Sequence, residues 1–349
     1  MITRKDLIEN LKAPLGELEA DRELFAAAAA QRDRMVGSRV HVRGLIELSN
    51  RCRKNCLYCG IRSGNPAVER YELTDEQVLA AAERAWRAGY GSVVLQAGER
   101  TDGAFVDRVE RLVKRIKERS NGGMGITLSL GEQARATYRR WFEAGAHRYL
   151  LRIEASSPEL YARIHPADHS YRERMDCLRV LRDEGYQVGT GVMIGLPFQR
   201  VEDLVDDLLF FRELDIDMCG MGPYIEAPGT PLATSPEAFS RAERLQLSLR
   251  MIALLRLLMP DINIAATTAL HALHPQGREL GIAAGANVMM PNLTPAAVRE
   301  GYRLYDNKPL ADTDLRGFEV VFDRAWGDAP HFAARRKASE PLAEDGSEK

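Results

Sequence analysis

Short apolar, β-branched runs alternate with longer helical patterns from residue 40 to residue 305, and this rhythm limits the chain to few folds. The strand candidates are Val40–Leu48, Ser92–Gln96, Gly125–Leu130, Arg148–Glu154, Gln187–Ile194, Asp217–Tyr224, Asn263–Thr267 and Asn287–Met290. Helical patterns fill the gaps at 74–89, 102–118, 131–144, 171–185, 200–213, 236–258, 276–283 and 295–305. Thr74 and Gln77 have capping-box spacing, and Gly89, Gly145 and Gly185 stand where helices would stop. Eight such units fit a (β/α)8 barrel, a TIM-type α/β fold. A doubly wound open sheet is the alternative. In both folds ligands bind at the carboxyl ends of the strands, so the residues just after each strand carry the functional question.

Residues 1–36 read as an N-terminal helical extension, residues 37–332 as the barrel, and residues 333–349 as a charged, flexible tail. Hydrophobic residues make up 45% of the chain, ample for a large core. A net charge of −2 gives no general pull toward nucleic acid or anionic membrane. No apolar run approaches the ~20 residues of a membrane span. Three of the five cysteines lie between residues 52 and 59, which is unlike a disulfide framework and points to a reducing, cytoplasmic setting.

The first strand runs into Asn50-Arg51-Cys52-Arg53-Lys54-Asn55-Cys56-Leu57-Tyr58-Cys59-Gly60, a C-x3-C-x2-C spacing. Three thiolates this close can wrap one inorganic centre, and thiolates are the usual protein ligands of Fe–S clusters. A [4Fe–4S] cube held by Cys52, Cys56 and Cys59 keeps one iron free of protein, where a small molecule could chelate. Arg51, Arg53 and Lys54 would offset part of the negative charge of the cluster and its thiolates. The alternative is structural zinc, which usually takes four protein ligands, and no further cysteine or histidine occurs before His147.

The spacing, with Tyr58 before Cys59, resembles the radical S-adenosylmethionine (SAM) superfamily. Further stretches are similar to the HydE family of [FeFe]-hydrogenase maturases: Ile46-Glu47-Leu48-Ser49-Asn50, Tyr149 to Glu154, Met193 to Pro197, Asp217 to Pro223, Ala266 to Ala269 and Ala286 to Asn292. The resemblance spans about residues 35–335. It implies a barrel with one [4Fe–4S] cluster at its mouth and a long internal cavity. It also implies reductive cleavage of SAM, giving a 5′-deoxyadenosyl radical that acts on an organometallic iron precursor in assembly of the hydrogenase H-cluster. The implied partners are a small organometallic or amino-acid-derived substrate, a reduced flavodoxin or ferredoxin, and other hydrogenase maturases.

On the same resemblance, Tyr58, Gln96, Gly98, Glu99, Glu154, Arg174 and Met193 would meet SAM. Arg152, Thr267, Thr268, Tyr302 and Tyr305 would line the substrate cavity. Read without it, Gln96-Ala97-Gly98-Glu99 is a strand-to-helix turn, and Glu154 and Arg174 could form a structural ion pair. Thr267 and Thr268 read as helix caps, Tyr302 and Tyr305 as a helical packing pair, and Met193 as core filler. Cys177 and Cys219 read as buried small side chains, and His271 and His274 as an unsupported metal pair. Ala97 departs from the superfamily's glycine. Glu226-Ala227-Pro228-Gly229 stands where family members often have a histidine and an aspartate. No cysteine follows Cys219, so no second cluster is expected near the C-terminus. A biotin-synthase-like or methylornithine-synthase-like enzyme on the same scaffold is the alternative function.

Overall fold

A computed structural model describes residues 2–309, 315, 318–321 and 330–332. The tail expected at 333–349 lies outside the described residues. Eight parallel strands carry the fold: β1 Val40–Ser49, β2 Ser92–Ala97, β3 Gly125–Ser129, β4 Arg148–Leu150, β5 Gln187–Thr190, β6 Met218–Cys219, β7 Asn263–Ile264 and β8 Val288–Met289. From β1 to β7 each pairs with its sequence neighbour, and β8 pairs with β1 through His41 opposite Val288. A single bridge between Ala265 and Val288 joins β7 to β8 and brings the sheet nearly full circle. The open-sheet alternative is thereby set aside.

Several strands are shorter than the sequence suggests. The fourth ends at Leu150, and beyond it the ladder survives only as a bridge from Glu154 to Val192. The fifth and sixth break and resume as Met193–Ile194 paired with Gly222–Pro223. The cavity is lined beside these breaks, by Arg152, Glu154, Met193, Gly222 and Pro223. The residues Val320–Val321 add a short parallel pairing at the start of β1, which the strand pattern did not announce.

The helices pack outside. In chain order they are α1 Arg4–Lys12, α2 Arg22–Met35, α3 Asp75–Arg87, α4 Gly103–Arg119, α5 Arg135–Glu143, α6 Pro158–Ile164, α7 Tyr171–Asp183, α8 Val201–Glu213, α9 Arg241–Leu258, α10 Thr268–Leu273, α11 Gly277–Ala283 and α12 Ala296–Arg299. Thr74 caps α3 reciprocally with Gln77, as the spacing requires. The amphipathic α4 buries Phe105, Val106, Val109, Leu112, Val113 and Ile116 on one face. At roughly 1.5–3 kcal/mol for each large side chain, such a stripe supplies most of the adhesion of one helix to the barrel.

Two helical expectations need correction. The pattern at 131–144 becomes helical only at Arg135, because Gly131 has φ +76 and the chain turns inward there before α5. The pattern at 295–305 is helical only over α12, followed by a 3-10 turn at Glu300–Tyr302. Residues 303–308 leave the helix because their polar groups bind elsewhere. Leu304 O accepts from Gly60 N at 2.9 Å, and Asp306 N donates to Glu226 O at 2.9 Å. The first two helices are tied down by buried Arg250 of α9, which donates to Asp21 Oδ2 at 2.8 Å and to the Ala13 and Pro14 carbonyls.

Candidate active site

The strand-end loops enclose a cavity of about 310 Å3. Cys52, Cys56, Cys59, Tyr58, Gln96, Gly98, Glu99, Arg152, Glu154, Arg174, Met193, Thr267, Thr268, Tyr302 and Tyr305 all line it. The sequence scatters these residues over 250 positions; the barrel gathers them at one mouth.

The cysteine loop is held from several sides. Asn50, wholly buried, donates to Glu69 O at 2.7 Å and Gly301 O at 2.6 Å, and accepts from Tyr71 N at 2.8 Å. Arg70 reaches the carbonyls of Asn50 and Ile61, both at 2.7 Å. The strand that follows comes close: Arg53 N donates to Glu99 O at 2.9 Å, and Glu99 N points at Cys52 Sγ at 3.3 Å. Gly98 makes that approach possible, since a Cβ there would stand 2.5 Å from Arg51 O and 2.7 Å from Cys52 Cβ.

Burial raises the pKa of all three thiols, that of Cys56 to about 12. Thiolates in such a place require a compensating positive centre, which ligated iron provides. Structural zinc usually takes four protein ligands, whereas this loop brings three thiols to the cavity, the number that keeps one iron of a four-iron cluster open. Two residues that line the same space keep a buried polar atom without a hydrogen-bond partner, Arg152 at Nε and Thr267 at Oγ1. A cavity ringed by thiols and orphaned polar atoms fits a cluster with a polar organic cofactor beside it.

The charges are arranged in pairs. Glu132, just behind the wall, accepts from Lys54 Nζ at 2.7 Å and from Arg174 Nε at 2.5 Å. Burial pushes Glu132 upward, but Arg174 and Lys54 outweigh it and hold the carboxyl below its ordinary value. Arg53 and Lys54 therefore neutralise carboxylates; Arg53 Nε meets Glu99 Oε1 at 3.1 Å. Arg174 also donates to Arg152 O at 2.5 Å, and Arg152 pairs with Glu154 at 2.9 Å. The ion pair at this position is thus Arg152–Glu154, with Arg174 turned to Glu132. Burial raises the pKa of Glu99 and Glu154. Glu154 also has φ +68, a left-handed conformation rare for a residue with a side chain and common at functional sites.

Across the mouth, Thr268 Oγ1 and Tyr305 Oη share a hydrogen bond at 2.7 Å, and Gln96 Nε2 donates to Tyr302 Oη at 3.3 Å. Thr267 occupies the cap position of α10, yet its hydroxyl makes no capping bond. Tyr302 and Tyr305 lie on a turn and a bend, not three apart on a helix as the pattern suggested. Glu47 and Lys308 form a buried pair on this wall, with Asn292 Nδ2 donating to the second oxygen of Glu47 at 3.1 Å. Arg278 also lines the cavity, is buried, and has no ion-pair partner among the described residues.

Glu47, Glu132, Arg278 and Lys308 were not singled out as site residues from sequence. Two carried a signal. Glu47 interrupts the apolar run 45–48 of the buried half of β1, and Glu132 follows the end of β3. Cys177 Sγ lies 3.8 Å from Gln133 O, outside the cavity, and Cys219 is buried in β6. His271 and His274 sit on α10 and at its end, away from the cysteine loop.

A model of the Radical SAM superfamily matches residues 46–211. The [FeFe] hydrogenase maturase subunit HydE of Thermotoga maritima is 45% identical over 307 residues, covering 88% of this chain and 84% of that protein. The 3-methylornithine synthase of Methanosarcina acetivorans is 28% identical over 323 residues, covering 91% and 88%. A crystal structure of methylornithine synthase superposes with a TM-score of 0.73 at 29% identity, covering 83% of this chain and 82% of that one. One of HydG, a maturase of the [FeFe]-hydrogenase, gives 0.78 at 19% identity, covering 97% and 77%, a likeness of fold.

Proposed function

Since the chain belongs to the radical SAM superfamily and, within it, to the family of the hydrogenase maturase HydE, we propose that it is a radical SAM enzyme acting in [FeFe]-hydrogenase H-cluster assembly. The observation that carries this reading is the shared cavity. One loop brings three thiols to it, and the ends of β2, β4 and β5, with Arg174 of α7, bring the groups an amino-acid-bearing cofactor needs.

In this reading Cys52, Cys56 and Cys59 hold the cluster. When bound, the cluster supplies an electron and an open iron, and SAM supplies the 5′-deoxyadenosyl group that becomes the radical. The chain's own residues bind and orient. Glu99 and Glu154 are buried carboxylates at the cavity, each with an oxygen engaged by an arginine, and their remaining lone pairs can accept from an ammonium group. Arg174, held through Nε by Glu132, is fixed for a carboxylate. Gly98 leaves room for the cofactor's backbone-like end, and Met193 and Tyr58 wall it.

The far wall is suited to an anionic substrate. Five cations line the cavity, namely Lys54, Arg152, Arg174, Arg278 and Lys308. Their carboxylate partners are Glu47, Glu99, Glu132 and Glu154, which leaves Arg278 over. Arg278, with Thr267, Thr268, Tyr302 and Tyr305, offers donors to a carboxylate or cyanide on a small organometallic or amino-acid-derived substrate. Reduced flavodoxin or ferredoxin in the cytoplasm is the electron donor in this reading, and other maturases are its partners. No described helix is long and apolar enough to cross a membrane.

Deleting the gene in its source organism tests the assignment. The reading requires loss of [FeFe]-hydrogenase activity with growth without biotin unaffected. Hydrogenase activity that persists, with no second copy of the gene, contradicts it.

A further inference from the structure

Two histidines outside the cavity grip the cysteine loop, and hydrogen-bond logic fixes how. His165 follows α6 and is buried. Its Nδ1 lies 2.9 Å from Tyr161 O, a carbonyl that can only accept, so Nδ1 carries the proton. Burial holds the ring neutral, with a pKa near 3. Nε2 is then a bare acceptor, and the Tyr58 hydroxyl, which also lies beside the Cys56 thiol, faces it at 3.3 Å as a donor. The His165 ring stacks on Tyr161 with centroids 3.9 Å apart and meets the Tyr58 ring edge-on at 5.4 Å. Its rotation is therefore set on both sides.

His169 repeats the arrangement. Its Nε2 accepts from Asn55 N at 3.1 Å, and Nδ1 donates to Asp168 Oδ1 at 2.9 Å. Between the two, Leu57 N donates to Ile164 O at 3.0 Å. The segment before α7 thus holds Asn55, Leu57 and Tyr58, on both sides of Cys56 and just before Cys59. Neither histidine lines the cavity, whereas Tyr58 does.

We propose that His165 is a positioning residue: it accepts the Tyr58 hydroxyl and so sets the angle at which the Tyr58 ring walls the cofactor end of the cavity. His169 supports the same loop through its backbone. The proposal rests on the reading of Tyr58 as a SAM contact. A role in folding alone would cost stability. A role in positioning costs cofactor affinity while the cluster stays intact.

The test uses reconstituted protein, iron content, and a titration of SAM read from the EPR spectrum of the reduced cluster. His165→Phe keeps the stacked ring and removes the acceptor. Tyr58→Phe removes the donor. Each should weaken SAM about 5-fold, the size expected for one hydrogen bond of about 1 kcal/mol. The double variant should be no weaker than either single one, since both remove the same interaction. His165→Gln, whose amide oxygen can replace the acceptor, should bind within about twofold of wild type, and iron content should be unchanged throughout. Multiplying effects of about 25-fold in the double variant overturn the proposal. So does a loss of iron that parallels the loss of affinity. If His165→Phe does not fold, Tyr58→Phe still decides, because unchanged affinity there overturns the proposal by itself. Wild-type protein that holds its cluster but gives no SAM response contradicts the underlying cofactor reading instead.

Discussion

Arg174 and Glu132 meet at 2.5 Å in a buried ion pair that also draws in Lys54 of the cysteine loop. The carboxylate therefore joins three strand-end loops: that of the cysteines, its own after β3, and, through Arg174, the backbone after β4 at Arg152 O. Removing one partner of such a pair leaves an uncompensated buried charge, which costs roughly 3 kcal/mol or more. Glu132→Gln should lose about that much stability in urea unfolding. Arg174→Gln should lose a similar amount, and the double variant less than their sum. The pH dependence follows in sign. Because the folded carboxyl lies below its ordinary 4.5, its contribution is complete above that value and fades as pH falls through the folded pKa. Full additivity in the double variant would show that the two groups do not act as a pair.

Gly98 is predicted to be intolerant of any side chain. An added Cβ would meet Arg51 O and Cys52 Cβ well inside contact distance, and backbone cannot yield as a flexible side chain can. Gly98→Ala should fold, because the clash lies at the barrel mouth, but reconstitute with less iron and a weaker cluster absorbance. Iron content and absorbance equal to wild type would contradict the close approach of these two loops.

Both of these sites show what sequence could and could not tell. The cysteine loop and the strand-end groups were legible because chemistry and position coincide: thiols at fixed spacing, charges just after strands. The eight strand positions were legible from apolar runs. Their ends were not, since beyond Leu150 the ladder gives way to a left-handed Glu154, and periodicity does not register φ. Glu132 was absorbed into a helical pattern because the turn at Gly131 was missed. The partnership of Glu47 with Lys308, 261 positions apart, depends on ring closure and on a segment that leaves its expected helix. No local pattern encodes such a contact.

Asp207 on α8 gives a pH prediction. Its Oδ1 accepts from Ser156 N at 2.8 Å, its Oδ2 has no hydrogen-bond partner, and burial raises its pKa from 3.8 to about 7. The folded state then binds the proton more tightly than the unfolded chain, so stability falls as pH rises from about 4 to about 7 and is level beyond. Asp207→Asn keeps the acceptor and removes the titration. Its stability relative to wild type should therefore grow across that range, by up to about 4 kcal/mol. Thermal unfolding of both proteins at pH 5 and pH 8 measures this; a difference that does not change with pH contradicts it.

In the proposed function, three thiols and the strand-end groups around them form one radical-generating site. Formation of 5′-deoxyadenosine by anaerobically reconstituted protein, given SAM and a strong reductant, tests it most directly. Wild type should form 5′-deoxyadenosine, and Cys56→Ala should lose both the brown cluster absorbance and all cleavage. Protein that holds a full cluster yet forms none, with or without candidate substrates, would contradict the claim.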